Sequence, residues 1–577
     1  MSSPTPPRKS KELPNELRMV LAFVLMGLIL VATPYVYRKL GLTPEKPPAP
    51  VKSTVQTRPV EAPAATKAQP ETPADPEASP AVPVTVAAES QWTLDTALYH
   101  IVFSNKGAVV KSWTLKNIKD NDGKPLELVN VKGDEKVGFP FSYEFRGQQP
   151  STDLNKALWV AHPSGDGTAI EYDFSDGKTT AKKTLAFQQD GYMVQFADEV
   201  RLGSSGLPHL VQWRGGFGDM AVNNANGHQQ TVHYDSEKKK LIQESAKSAK
   251  NGPARADGNF SFAGIEDQYF AATFLPPPNT PLQTTTFDDT VASVYDSSEQ
   301  PYPGVAVGGE ARNQLGLYVG PKDGSALRKV NPRLEDLIDW GWFEIIAKPL
   351  FLILQWMTTS FVHNYGWSII LLTLAINTAL FPLKFANLKS MRKMQALQPE
   401  IAKINEKYKG IGMSDPRAAQ KQQETMALYK THGVNPMGGC IPMLIQMPFL
   451  YAIYRVLAVT FEMRNAPWLW VADLSQPEHF AIRFLPIVMV ASSFLMQKMT
   501  PMATGGDPSQ QKIMQFMPLM WGFFFWSASS GVVLYWLTSN LVQIAQQWFF
   551  NKTSGPVNLV TTSPKKVISA KDGRKRS

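Results

Sequence analysis

A single cysteine, Cys440, stands in this chain of 577 residues, so no intrachain disulfide and no thiolate-rich zinc or iron–sulfur site can form. Charge is sparse at 19% of residues, and there is no acidic excess, since Lys plus Arg outnumber Asp plus Glu by nine. Between residues 38 and 340 the chain lacks any long apolar run. Composition also excludes collagen, coiled coil and global disorder. What is present is concentrated at the two ends, where nearly all long apolar segments lie. The pattern is that of an integral membrane protein with a large soluble insert, long enough for three or four domain-sized units.

Residues 1–18 carry Arg8, Lys9, Lys11 and Arg18 and precede an uncharged stretch at 19–37. Its 19 residues match the length needed for a ~30 Å hydrocarbon core. The stretch is longer than a signal-peptide core and no small-x-small cleavage site follows, so we expect an uncleaved transmembrane signal anchor with a cytoplasmic N-terminus. Residues 43–88 hold 11 prolines, 10 alanines and no aromatic residue, a composition that forms an extended tether. From 90 to 330 short β-branched runs (98–103, 108–115, 141–145, 193–196, 315–319) alternate with turn signals at 104–107, 121–123 and 175–177. This predicts an antiparallel β-sandwich, with a helix-like insert at 236–250.

Residues 340–362 are apolar but broken by Glu344, Lys348, Pro349 and Gln355, which predicts an amphipathic helix lying in the membrane interface. The core, 366–550, offers candidate spans at 366–383, 441–459, 482–497, 513–528 and 531–550. With the anchor this makes six transmembrane helices. Charge supports that topology independently. The 384–430 loop has ten basic and four acidic residues and the tail 551–577 seven and one, whereas the 460–481 loop has one and three. The first two then face the cytoplasm and the third the outside, together with the β domain. The 384–432 segment reads as a helical hairpin. Met391, Met394, Leu397, Ile401, Ile404 and Tyr408 form one apolar stripe, and Asp415 with Pro416 starts the second helix. The stripe serves either to pack the two helices or to offer a methionine-lined surface to apolar segments.

Catalytic templates are missing. Gly177-Lys178-Thr179 is not a phosphate loop, because the position five before Gly177 is Tyr172. His228 and His233 would point to opposite faces of a strand, which argues against a shared metal. No cofactor, metal or small-molecule substrate is expected, and the chain is not read as an enzyme. The unusual feature is polarity inside the spans, at Thr373 and Asn377, at Gln446, at Ser492 and Ser493, and at Tyr535, Ser539, Asn540, Gln543 and Gln546. Such residues avoid lipid, either as interhelical hydrogen bonds contributing about 0.6–2 kcal/mol each or around a shared hydrophilic cavity. Arg455, near the end of its span, is expected to snorkel outward. Basic residues of the hairpin (Lys389, Arg392, Lys393) and of the tail (Lys565, Lys566, Lys571, Arg574, Lys575, Arg576) suit anionic lipid or ribosomal RNA.

Four stretches carry a resemblance. They are Gly-Ile-Glu-Asp-Gln-Tyr-Phe at 264–270, Asn-Pro-Met-Gly-Gly-Cys-Ile-Pro-Met-Leu-Ile-Gln-Met-Pro at 435–448, Ala-Pro-Trp-Leu-Trp-Val-Ala-Asp-Leu-Ser at 466–475, and Gly-Val-Val-Leu-Tyr-Trp-Leu-Thr-Ser-Asn at 531–540. Over essentially its whole length the chain resembles the Gram-negative members of the YidC/Oxa/Alb family of membrane-protein insertases. The resemblance implies a bacterial inner-membrane location and a periplasmic β-supersandwich. It also implies a five-helix core with a hydrophilic groove open to cytoplasm and lipid. Nascent membrane proteins would be the substrates, inserted alone or with the Sec translocon and without nucleotide. Thr373, Tyr535 and Trp536 match groove-lining positions; Asp507 and the basic tail match regions that meet the ribosome. One departure stands out: relatives usually carry arginine where this chain has Asn377. Either polarity and bilayer thinning suffice, or a nearby cation such as Lys384 or Arg455 compensates. The Gln-Pro-Glu-His sequence at 476–479 also departs from the usual Asp-Pro. Rival readings are an obligate Sec-associated accessory, a solute transporter and a membrane-anchored enzyme.

Overall fold

The computed structural model describes residues 86–554, except 121, 223–224, 295–297, 411–414, 433–440, 481 and 500–507. The anchor, nearly all of the tether, Cys440, Asp507 and the tail cations Lys565, Lys566, Arg574, Lys575 and Arg576 lie outside the described residues.

From residue 91 to 321 the chain forms three antiparallel sheets. Four sequential strands from Gln91–Asp95 to Pro125–Glu127 make the first. The largest is built around the neighbours Phe270–Leu275, Arg312–Pro321, Met193–Leu202 and Thr179–Phe187. The third centres on the Leu282–Ala292 and Glu299–Gly308 hairpin. All three meet at an aromatic core. Trp113, from the first sheet, lies 6.0 Å from Trp213 of the third and 6.3 Å from Phe141, which in turn lies 5.6 Å from Phe196 of the largest. Aromatic burial on this scale needs no disulfide to hold it.

Register follows from side-chain alternation. In Thr179–Phe187 every second residue is buried, which places Lys183 inward among apolar neighbours. Its Nζ donates to the carbonyls of Ala108 (2.9 Å) and Phe141 (2.6 Å) and sits 4.2 Å from the Tyr143 ring centroid. Burial holds that amine down to about 7. A one-residue slip would turn the strand's apolar face to solvent.

The 236–250 insert departs from expectation. It is a hairpin of Gln230–Asp235 and Lys240–Glu244, followed by one short 3-10 turn at Ala246–Ala249. Asp235 caps the turn by accepting from the backbone of Glu237 and Lys238, and Lys239 adopts φ 50°. A side chain that satisfies turn amides offers the backbone an alternative to helix.

Nine helices of the following region are named α1 (Glu344–Met357), α2 (Tyr365–Ala379), α3 (Phe381–Ala396), α4 (Gln398–Lys407), α5 (Pro416–Thr431), α6 (Ile441–Val459), α7 (Phe484–Met499), α8 (Pro508–Phe525) and α9 (Ser530–Thr553). Helices α2, α6, α7, α8 and α9 occupy the segments expected to span. Among the described residues, Glu344–Val362 is by itself long and apolar enough to cross a membrane, and α2 with α3 qualifies as one pair bent by 58°. Helix α1 has two faces, burying Ala347, Leu350, Phe351 and Leu354 while exposing Ile345, Leu352 and Trp356.

The β domain and the helices are joined by a network centred on residues 264–270. Asp267 accepts from the backbone N–H groups of Asp219, Tyr269 and Phe270 at 2.6–2.7 Å. Gly218 (φ 86°) has room for no Cβ against this carboxylate. Gln268 reaches the carbonyl of Ala458 at the end of α6 (2.7 Å). Burial pushes the Asp267 carboxyl up to about 6 despite the opposing amides of Asp219 and Phe270.

Because the folded carboxyl keeps its proton to a higher pH than the unfolded one (~3.9), the folded state binds more protons between about pH 4 and 6. Stability contributed by this group therefore falls as pH rises through that window, by roughly 2–3 kcal/mol in total. Thermal melting of the β domain in the full chain should show a shallower decline from pH 4 to 6.5 in Asp267→Asn than in the native protein. Parallel profiles would refute the assignment.

Candidate functional site

Helix α2 begins at an Asn364 cap whose side chain accepts from the Trp367 N–H. It buries Ser368 near its start and, one turn apart on a shared face, Thr373 and Asn377. Thr373 returns its hydroxyl to the carbonyl of Ile369 (2.6 Å), and Asn377 Nδ2 donates to the carbonyl of Thr373 (2.8 Å). The other end of the Asn377 amide is turned away from its own helix. Its Oδ1 accepts from Lys384 Nζ at 2.7 Å, and its backbone carbonyl accepts from Gln546 Nε2 of α9 at 3.1 Å. Pro382, in the first turn of α3, lies next to the bend that brings Lys384 back to α2. Lys384 is thus the nearby cation, not Arg455, which reaches out of α6 to pair with Asp339 at 2.6 Å.

A second polar knot joins α7 to α9. Asn540 Nδ2 donates to Ser493 Oγ (2.8 Å) and Ser492 Oγ (3.0 Å), while both hydroxyls donate to the carbonyl of Met489. Along α9, Gln543 donates to Ser539 (3.1 Å), so Ser539, Asn540, Gln543 and Gln546 link the two knots. Tyr535 is buried, and Trp536 packs on Phe525 (4.8 Å) and Trp521 (5.7 Å) of α8. Gln446 is half-buried on α6. Geometrically most of these are hydrogen bonds within and between helices, with Gln546 Oε1 left buried and unpartnered. Beside them, between α2 and α9, lies a cavity of about 560 Å³ lined by Leu374, Thr378, Phe381, Thr538, Gln546 and Phe549, and it is largely apolar.

The segment after α6 closes over one end of this assembly. Trp468 packs against Gly366, where any Cβ would overlap the indole. The carbonyl of Leu474 accepts from the Gly531 N–H, and that of Gln476 from the Ser530 N–H and hydroxyl, each at 2.8 Å. Glu478 accepts from Trp470 Nε1 (2.6 Å) and the Leu485 N–H (2.9 Å). These bonds satisfy helix-terminal amides of α9 and α7.

In the hairpin, Met394, Leu397, Ile401 and Tyr408 are buried and Met391 and Ile404 half-buried; Tyr429 of α5 joins their cluster. The stripe therefore packs the two helices on each other. Asp415 caps α5 on the Arg417 N–H with Pro416 in its first turn, as expected. Arg392 donates to the Ser554 carbonyl (2.9 Å), whereas Lys389 is exposed and Lys393 half-buried. Sequence reasoning missed the loop's contacts altogether. The polar residues of α9 were visible at helical spacing, but their partners were not.

An aromatic-cored β domain carried on apolar helices, with polar side chains withdrawn between them and tryptophans exposed around them, defines a helical membrane protein with a large extramembrane domain. Residues 91–353 match the family described as YidC periplasmic domain, and residues 356–556 that described as 60Kd inner membrane protein. The chain is 35% identical to membrane protein insertase YidC of Syntrophus aciditrophicus over 93% of its own length and 99% of the relative's. It is 42% identical to the Wolinella succinogenes insertase over 53% of this chain and 54% of that one. A crystal structure of active YidC insertase with its first transmembrane domain resolved aligns over 80% of this chain and 92% of that one, at 19% identity and a TM-score of 0.33. The chain belongs to the YidC family of membrane protein insertases. It is an inner-membrane protein, and its substrates are membrane proteins.

Placing a Cβ at Gly366 should cost about 1–3 kcal/mol by overpacking against Trp468. Gly366→Ala should lower the detergent-solubilised melting temperature, and an exposed substitution elsewhere, Ile345→Val, should not. An unchanged midpoint in Gly366→Ala would refute the close packing.

Proposed function

We propose that insertion proceeds through a polar track on α2, α6, α7 and α9, entered from the cytoplasm and from lipid and closed at the opposite end by the 460–480 loop. Six spans place both termini in the cytoplasm and the β domain in the periplasm. A charged residue at the bilayer centre faces roughly 2.5–3.5 kcal/mol on insertion scales. Polar groups on Thr373, Asn377, Gln446, Ser492, Ser493, Tyr535, Trp536 and Ser539 lower that barrier for the hydrophilic part of a substrate. The substrate's own apolar segment leaves sideways into lipid, and its burial drives the process without nucleotide, metal or cofactor. The protein acts alone or beside the Sec translocon. Lys389, Arg392, Lys393, Asp507, Lys565, Lys566, Arg574, Lys575 and Arg576 meet the ribosome or anionic lipid.

The observation that carries this reading is the 2.7 Å bond from Lys384 to Asn377. A helix that ends in a buried amide holding an ammonium group presents positive charge where relatives place arginine. Lys384 then attracts acidic residues of the segment being translocated. The amide itself acts only as the donor and acceptor that positions the amine.

Reconstitution into proteoliposomes with a small two-span substrate bearing acidic residues in its connecting loop tests both points. Protease-protected substrate above empty liposomes, with no nucleotide, is expected of the native protein. Lys384→Ala should lower the yield by about tenfold, equivalent to ~1.4 kcal/mol. It should spare a substrate with a neutral loop, and Asn377→Arg added to Lys384→Ala should restore the loss. Equal losses for both substrates would refute the charge role. No insertion by the native protein would favour an obligate Sec-bound accessory.

A further inference from the structure

Residues 264–270 were distinctive in the sequence, yet nothing in the insertion track uses them. Their surroundings show what they hold. Arg464, three residues after the 3-10 turn begins at Phe461 and beyond the end of α6, buries its guanidinium in the β domain. It pairs with Asp219, and both side chains are only 1% exposed. Its Nη2 donates to the Lys119 carbonyl (3.0 Å), which also accepts from Asn465 Nδ2 (3.0 Å). The guanidinium lies 5.6 Å from the Phe270 ring and 5.8 Å from that of Tyr269, and Phe461 meets Phe270 edge-on at 5.8 Å. Asp267 grips the Asp219 backbone from behind. One side of the loop is therefore seated in the β domain. Its other side covers the ends of α2, α7 and α9 through Trp468, Leu474, Gln476 and Glu478.

A fully buried ion pair contributes little net stability but fixes geometry strictly, because neither charge tolerates the loss of its partner. That demand on one side, and the hydrogen bonds and Trp468 packing on the other, hold the loop in one position. From this we propose that the β domain is a latch: through Asp219 and Arg464 it holds the 460–480 loop down on the helix ends and keeps the track sealed on the periplasmic side. This deepens the groove reading above and rests on it. Arg464 and Asp219 are positioning residues, acting through the loop and not on the substrate.

The test is cysteine reactivity in the full chain in spheroplasts, with Cys440→Ser as background. Val533→Cys, at a buried position in the first turn of α9 beneath the loop, reports opening when a membrane-impermeant maleimide is added outside. The native pair should leave it unreactive. Asp219→Asn should raise the labelling rate by about tenfold or more, the change expected for ~1.4 kcal/mol in a closing equilibrium. Arg464→Lys, which keeps the charge but loses the fork, should give an intermediate rise. Lys136→Ala, which breaks an exposed pair with Glu299 elsewhere in the β domain, should give none. Protease resistance of the β domain separates opening from unfolding. Unchanged labelling in both Asp219→Asn and Arg464→Lys, or an equal rise in Lys136→Ala, overturns the latch. Thr373→Cys labelled from the cytoplasmic face of inverted vesicles while a substrate is being inserted tests the track separately. Its silence would count against the groove reading, whereas the Val533→Cys result judges the latch alone.

Discussion

Polar groups withdrawn from water must find partners, and in apolar surroundings the penalty for failure is several kcal/mol per group. That constraint organises both halves of this protein. In the β domain it turns Lys183 toward the turn carbonyls of Gly107, Ala108 and Phe141 beneath an aromatic ring. In the helical region it draws Asn540 onto two serines and Asn377 onto a lysine. At the junction it seats Arg464 against Asp219. Each case pairs residues from different elements, so the pairing also fixes how those elements pack.

The same constraint separates what could be read from the sequence from what could not. Strand positions such as Val109–Lys119 and Arg312–Pro321 were legible because apolar alternation and flanking turn residues are local signals. The cap of α5 was legible because Asp415 and Pro416 act within one turn. The 236–250 hairpin was not. Its lysine- and glutamate-rich composition suits a helix, and the Asp235-capped turn with the tertiary pairing of Gln230–Asp235 to Phe260–Glu266 overrode that preference. Partners far apart in the chain were hidden altogether. Asp219 and Arg464 are 245 positions apart, and neither residue type nor spacing announces the pair.

For the polar residues of α2, α7 and α9, the sequence raised two alternatives, interhelical bonds or a shared hydrophilic cavity. The bonds are present, and the cavity between α2 and α9 is largely apolar. These observations are compatible with an insertase if the polar groups are satisfied at rest and exchange partners when a hydrophilic segment arrives. A wet channel open at all times would leak ions. A track whose amides and hydroxyls close on one another has no such defect, and an incoming charged or amide-rich segment replaces one set of hydrogen bonds with another at little net cost.

The pair Asn377 and Lys384, standing where the resemblance implies an arginine, fits this view. Arginine at the helix centre would carry a permanent charge that cannot be shed, whereas a lysine delivered from the adjoining helix can withdraw. Its anchor is the bend between α2 and α3, where Phe381 and Pro382 turn the chain by 58° and set the ammonium one reach from Asn377. The bend therefore has a chemical consequence beyond ending a helix. It converts a neutral amide, unpromising as an attractor for acidic residues, into the mount for a movable positive charge at the entrance of the proposed track.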